Sequence, residues 1–124
     1  MNQDLIYQIA VGNLSGIGYQ RIKAIKQTLG SFEEFFSLHP KDISSMFSIG
    51  TNSLDKWNFA QEIEKANQQI DFIEQNNLKA TSFSDAEYSS RLRECFDAPH
   101  VLYSKGKTAL NVKRNIAIVG TRNI

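Results

Sequence analysis

The run Leu14-Ser15-Gly16-Ile17-Gly18-Tyr19-Gln20-Arg21-Ile22 has the residue types and spacing best suited to holding an anion. Two glycines let the backbone turn sharply. The N–H groups that open the following helix then point outward together, where the helix dipole favours negative charge. Arg21, Lys23 and Lys26 lie at or just after the turn, and no acid falls between Asp4 and Glu33. The chemistry on offer is capture of a phosphate without base discrimination. The competing reading is a tight helical corner in which Ile17 plugs the core and the three cations form an ordinary solvated face; the residues alone leave both open.

A second pattern of this kind is Val119-Gly120-Thr121-Arg122, after the apolar run Ile116-Ala117-Ile118-Val119. Ligands of open parallel sheets lie beyond the C-terminal ends of strands. A glycine there allows close approach to a phosphate, and the Thr121 hydroxyl and Arg122 guanidinium would complete the cradle. The tripeptide lacks the spacing of a dinucleotide fingerprint or a P-loop, so its alternative is a strand that simply ends in a turn. Met46-Phe47-Ser48-Ile49-Gly50-Thr51 resembles a degenerate copy of the first turn, with one glycine and no basic cluster after it, and is expected to be structural.

Other reactive side chains form no catalytic constellation. Cys95 stands beside Phe96 and is expected to pack; His39 precedes a proline and His100 opens a strand, neither with an acid partner. Glu62, Glu64, Asp71 and Glu74 suit a solvated helix face. One cysteine excludes an intramolecular disulfide framework, and two distant histidines make no metal cage, so no metal is expected.

The elements that must position these groups belong to a chain of 124 residues, about one ordinary domain, with 41% hydrophobic residues and a net charge of +1. No basic, apolar leader and no membrane-length apolar run is present, which predicts a soluble, cytoplasmic protein without a membrane partner. Charge is unevenly placed. Residues 1–57 balance five cations against five acids, residues 58–97 carry four against eight, and residues 98–124 carry Lys105, Lys107, Lys113, Arg114 and Arg122 with no acid.

Leu5, Ile6, Ile9 and Ala10 share one helical face, and Ile22, Ile25 and Leu29 predict a second helix ended by Gly30. Ser31 and Glu34 have capping-box spacing for a third, which brings Phe32, Phe35 and Phe36 to a small core, and Pro40 suits the first position of a fourth. From Asn52 to Gln75 there is no Gly or Pro, and the apolar spacing predicts one long helix stopped at Asn76-Asn77. Strands are expected at 78–83, 101–103 and 116–119, with Asp85 capping a turn of helix between the first two and a turn at Asp97-Ala98-Pro99. Apolar strands separated by helix or loop predict the opening of a parallel sheet. The interior-type strand near Ile124 predicts that the sequence is a fragment.

In order, these pieces resemble the DprA/Smf family of DNA-processing proteins over nearly the whole chain, as the N-terminal third of such a protein. The likeness is carried by Leu14 to Ile25, by Ser84-Asp85-Ala86-Glu87-Tyr88 through Leu92, Asp97-Ala98-Pro99, Val101-Leu102-Tyr103 and Lys105-Gly106, and by Ile116 through Arg122. Ser89 stands where the family usually has a proline after the tyrosine, and Ala98-Pro99 where it often has two prolines. The resemblance implies a mainly α N-terminal domain over 1–77, helix-hairpin-helix or SAM-like, followed over 78–124 by the incomplete start of a Rossmann-like α/β parallel sheet. It also implies sequence-independent binding of single-stranded DNA and loading of RecA recombinase in natural transformation, without enzymatic activity or cofactor, with a homodimer in the full-length protein. The family's strand-end arginine contacts phosphate, a role that falls on Arg122 with Gly120 and Thr121; Gly16, Gly18, Arg21 and Lys23 are a second candidate DNA contact. Two alternatives stand beside this: a helical protein-interaction module, and the N-terminal part of a nucleotide-processing Rossmann-like enzyme.

Overall fold

The computed structural model describes residues 3–107 and 109–111. The strand expected at 116–119 and the Gly120-Thr121-Arg122 turn lie outside the described residues. Two helices open the chain, α1 (Gln3–Gly12) and α2 (Tyr19–Leu29), joined by the Gly16-Ile17-Gly18 turn. A 3₁₀ turn (Glu34–Ser37) follows, then α3 (Pro40–Phe47), α4 (Thr51–Leu54), α5 (Phe59–Gln75), β1 (Lys79–Ser82), α6 (Ser90–Arg93) and β2 (Val101–Ser104). Among the described residues no helix is long and apolar enough to cross a membrane.

Several local signals act as the sequence predicts. Gly30 caps α2 at φ 81°, Pro40 opens α3 behind His39, whose Nδ1 accepts the Lys41 N–H, and Asn77 takes φ 54° after α5. Others are displaced by stronger partners. The Ser31–Glu34 capping box does not form; Asp4 Oδ1 accepts the N–H groups of Phe32 and Glu33 at 3.0 and 3.2 Å, so α1 caps this segment from outside. The long helix expected from Asn52 divides into α4 and α5, because the Asn58 side chain accepts the Gln61 N–H and starts a new helix. Trp57 falls in the break and donates Nε1–H to Ser15 O at 2.8 Å. Ser89, not Asp85, caps α6, while Asp85 Oδ2 accepts the Ser82 N–H.

The two described strands correct the expectation of a parallel sheet. β1 and β2 pair antiparallel, Lys79 opposite Ser104 and Ser82 opposite Val101. A parallel return needs a crossover long enough to span the sheet, commonly a full helix. Residues 83–100 supply only the single turn α6 and bring the chain back along the same edge.

Apolar residues fill two adjoining cores with α1 between them. Val11, Leu14, Ile17, Ile22, Ile25, Phe32, Phe35, Ile43, Phe47 and Ile49 pack with Phe83, Tyr88 and Ala98 in the first. Leu5, Ile9 and Ala10 meet Ala66, Ile70 and Ile73 of α5, together with Val101, in the second. Phe35 is the hub of the aromatic side, with Phe36, Phe47, Trp57 and Phe59 rings centred 5.7–6.1 Å away. Cys95, expected to pack, is exposed and its neighbour Phe96 is 79% exposed, since Ala98 supplies the buried contact of that turn.

Candidate nucleic-acid interface

The first turn and its suspected copy share one backbone plan. Gly16 is left-handed at φ 87°, Ile17 is buried, and Gly18 is the extended N-cap of α2. In the second, Ser48 is left-handed at φ 54°, Ile49 is buried, and Gly50 is the extended N-cap of α4. Serine can hold that conformation at modest cost, which explains how one glycine suffices where two were expected. At Gly16 a side chain would also meet Ser53 Oγ at 2.8 Å, so glycine is required there on both counts.

Arg21 joins the two turns. Its Nη1 donates to Gly16 O at 2.7 Å, Nη2 to Ser48 O at 3.0 Å, and Nε to Phe47 O at 3.4 Å. Two of these acceptors are the corresponding left-handed residues of the two turns. The fixed fork of a guanidinium suits this bridging, and it turns Arg21 toward its own chain. Lys23 lies over the Tyr19 ring at 5.2 Å, and Lys26 lies 5.8 Å from the Phe32 ring centre and 3.9 Å from Asp4 Oδ2. All three cations of the basic island therefore have intramolecular partners. Gly18 is exposed, and no side-chain cap meets the first N–H groups of α2.

A buried polar cluster ties the β ribbon to α1. Gln8, 4% exposed, donates Nε2–H to His100 Nδ1 and His100 O at 3.2 and 3.1 Å, and its Oε1 accepts the Ser82 hydroxyl at 3.1 Å. Burial pulls the His100 pKa down to about 4. Gly12 permits this contact, since a methyl group there would sit 2.1 Å from His100 Nε2. Gln8 lies on the buried side of a helix whose neighbours are apolar, and nothing in its local sequence marks it. Tyr88 is wholly buried and donates its hydroxyl to Pro99 O at 2.5 Å; burial raises its pKa. Among the described residues no group of three or more His, Cys, Asp or Glu side chains could hold a metal ion.

The described residues form a helical body with two matched turns and an attached antiparallel ribbon, and in the sequence residues 98–124 are rich in Lys and Arg and free of acids. Residues 79–124 match the family model described as DNA recombination-mediator protein A, and over that segment the chain is similar to the DprA family. The matched domain implies a role in mediating DNA recombination. No curated protein and no solved structure matches the chain.

Proposed function

We propose that the chain binds single-stranded DNA independently of sequence and helps load RecA recombinase onto it, as a cytoplasmic mediator of natural transformation that catalyses no reaction itself. In this reading residues 1–77 are a helix-hairpin-helix or SAM-like helical domain. Residues 78–124 belong to a Rossmann-like domain, through which the protein forms a homodimer. The observation that carries the proposal is the family match over residues 79–124, which spans both the acid-free basic segment and Gly120-Thr121-Arg122. Arg122 grips phosphate with Gly120 and Thr121 beside it, and the exposed turn at Gly16 and Gly18 offers a weaker contact through the first N–H groups of α2.

Fluorescence anisotropy with a labelled oligothymidylate tests it. Affinity is expected to fall as salt rises, and Arg122→Ala to weaken binding equally for all sequences, lowering the salt slope by about 0.7 for each phosphate no longer neutralised. An affinity no better than that of a neutral control protein at low ionic strength would overturn the proposal.

A second reading, of the helical domain as a protein-interaction module, is favoured by the inward partners of Arg21, Lys23 and Lys26. Replacing the three by Ala separates the two roles: unchanged DNA affinity with loss of partner binding supports the module.

A further inference from the structure

The β ribbon has two unlike faces. Ala80 and Val101 pack into the α1–α5 core and Ser82 bonds to Gln8, so this face belongs to the helices. The alternate residues Lys79 and Thr81, with Ser104 opposite Lys79, turn to the other face. There they line a cavity of about 310 Å³ together with Glu87, Lys107 and Asn111. The Asn111 side chain accepts the Ser90 N–H at 2.8 Å and donates to Tyr88 O at 2.9 Å, which holds this wall of the cavity against α6.

Beside Gly106, Ala109 and Leu110, the polar groups of the lining are two ammonium groups, two hydroxyls, the Asn111 carboxamide and one carboxylate, a set that can hold an oxyanion. That carboxylate, Glu87, is paired with Lys79, and both side chains are more than half exposed. An exposed pair of this kind exchanges partners readily. The volume is at the lower end for a small-molecule site and suits one phosphodiester unit of a chain that continues past the opening, rather than a whole dinucleotide. Lys105 and Lys107 extend the positive charge along the chain.

We infer that this cavity receives a backbone phosphate of single-stranded nucleic acid, with Lys79 exchanging Glu87 for the phosphate and Lys107 closing on it from the opposite loop. The inference rests on the DNA-binding reading above and names contact residues in addition to Gly120, Thr121 and Arg122. No covalent step is involved.

Titration of the ¹⁵N-labelled full chain, followed by amide shifts, tests it with two probes: a short oligothymidylate and inorganic phosphate. The oligonucleotide is expected to shift Lys79, Thr81, Ser104 and Lys107. The Lys79→Ala, Lys107→Ala double variant should weaken binding about tenfold and Glu87→Gln should tighten it about two- to fivefold. All these positions but Thr81 and Ser104 are exposed, so the variants keep the fold, which amide dispersion in the same spectra verifies. Oligonucleotide shifts confined to other residues would overturn the inference while leaving DNA binding intact. Shifts from phosphate but not from the oligonucleotide would make this a free-anion pocket and also overturn it. Silence toward the oligonucleotide across the whole spectrum would remove both this contact and the reading it rests on.

Discussion

Arg21 illustrates how a residue selected by charge acquires its role from geometry. Three of its N–H groups meet carbonyls at Gly16, Phe47 and Ser48, and the last two lie far along the chain. Hydrogen bonds from a charged donor contribute about 1.5–3 kcal/mol each when shielded, and less where water competes, as it does at the exposed Gly16 and Ser48 carbonyls. Arg21→Ala is therefore expected to lower stability by about 2 kcal/mol, and Arg21→Lys by an intermediate amount, since a single ammonium cannot reproduce the fork. Lys23→Ala, which removes one cation–π contact between a half-buried lysine and the Tyr19 ring, should cost about 0.5–1 kcal/mol. Urea unfolding of the three variants checks this, and equal midpoints for Arg21→Ala and Lys23→Ala would refute the bridging role. The glycines of the turn were legible in the sequence because their demand is local. The partners of Arg21 were not, because whether Phe47 and Ser48 return to α2 is decided by how Ile43, Phe47 and Ile49 pack.

At the scale of elements, the same division between local and distant causes explains which boundaries the sequence revealed. Pro40 and Asn77 act through their own backbones and stand where expected. The 3₁₀ turn is capped by Asp4 from another element, and β1 and β2 pair antiparallel through a return that no periodicity encodes. The contact between the ribbon and α1 also gives a pH dependence with a definite sign. His100 accepts the Gln8 N–H on Nδ1, while the other end of the amide accepts from Ser82, so a proton on Nδ1 would set donor against donor. Among the described residues its facing groups are the Gln8 amide and Gly12, and burial alone accounts for the direction of its shift. The native pKa of about 4 lies below the ordinary 6.5, so the unfolded chain binds the extra proton. Stability is then fully present above pH 6.5 and falls as pH drops toward about 4, by a total of about 3 kcal/mol from this group. His100→Asn should flatten that part of a stability-against-pH curve while leaving the losses due to carboxylates; an unchanged slope would refute the assignment.

For the whole molecule, the sequence proposes a division at residue 77, and the cores bear on how the two segments fold. Phe83, Tyr88 and Ala98 fill the first core and Val101 the second, so neither closes without residues from the ribbon segment. Tyr88 is among the largest wholly buried side chains, and its removal with the ribbon would leave the faces of α1 and α2 open to water. Residues that share a core tend to open together, as one cooperative unit. Amide exchange in α1, α5, β1 and β2 is therefore expected to report a single opening free energy, with residues 105–107 exchanging faster because they are exposed and lie outside the paired strands. Destabilising Tyr88→Ala should lower the protection of α1 and of β1 by equal amounts. If the ribbon instead exchanged through a separate, lower-energy opening while α1 kept its full protection, the two segments would fold as independent units, and a phosphate bound at Lys79 could not be felt by the helical hairpins. A common opening would mean that any ligand seated on the ribbon stabilises the Gly16 and Ser48 turns through the same equilibrium.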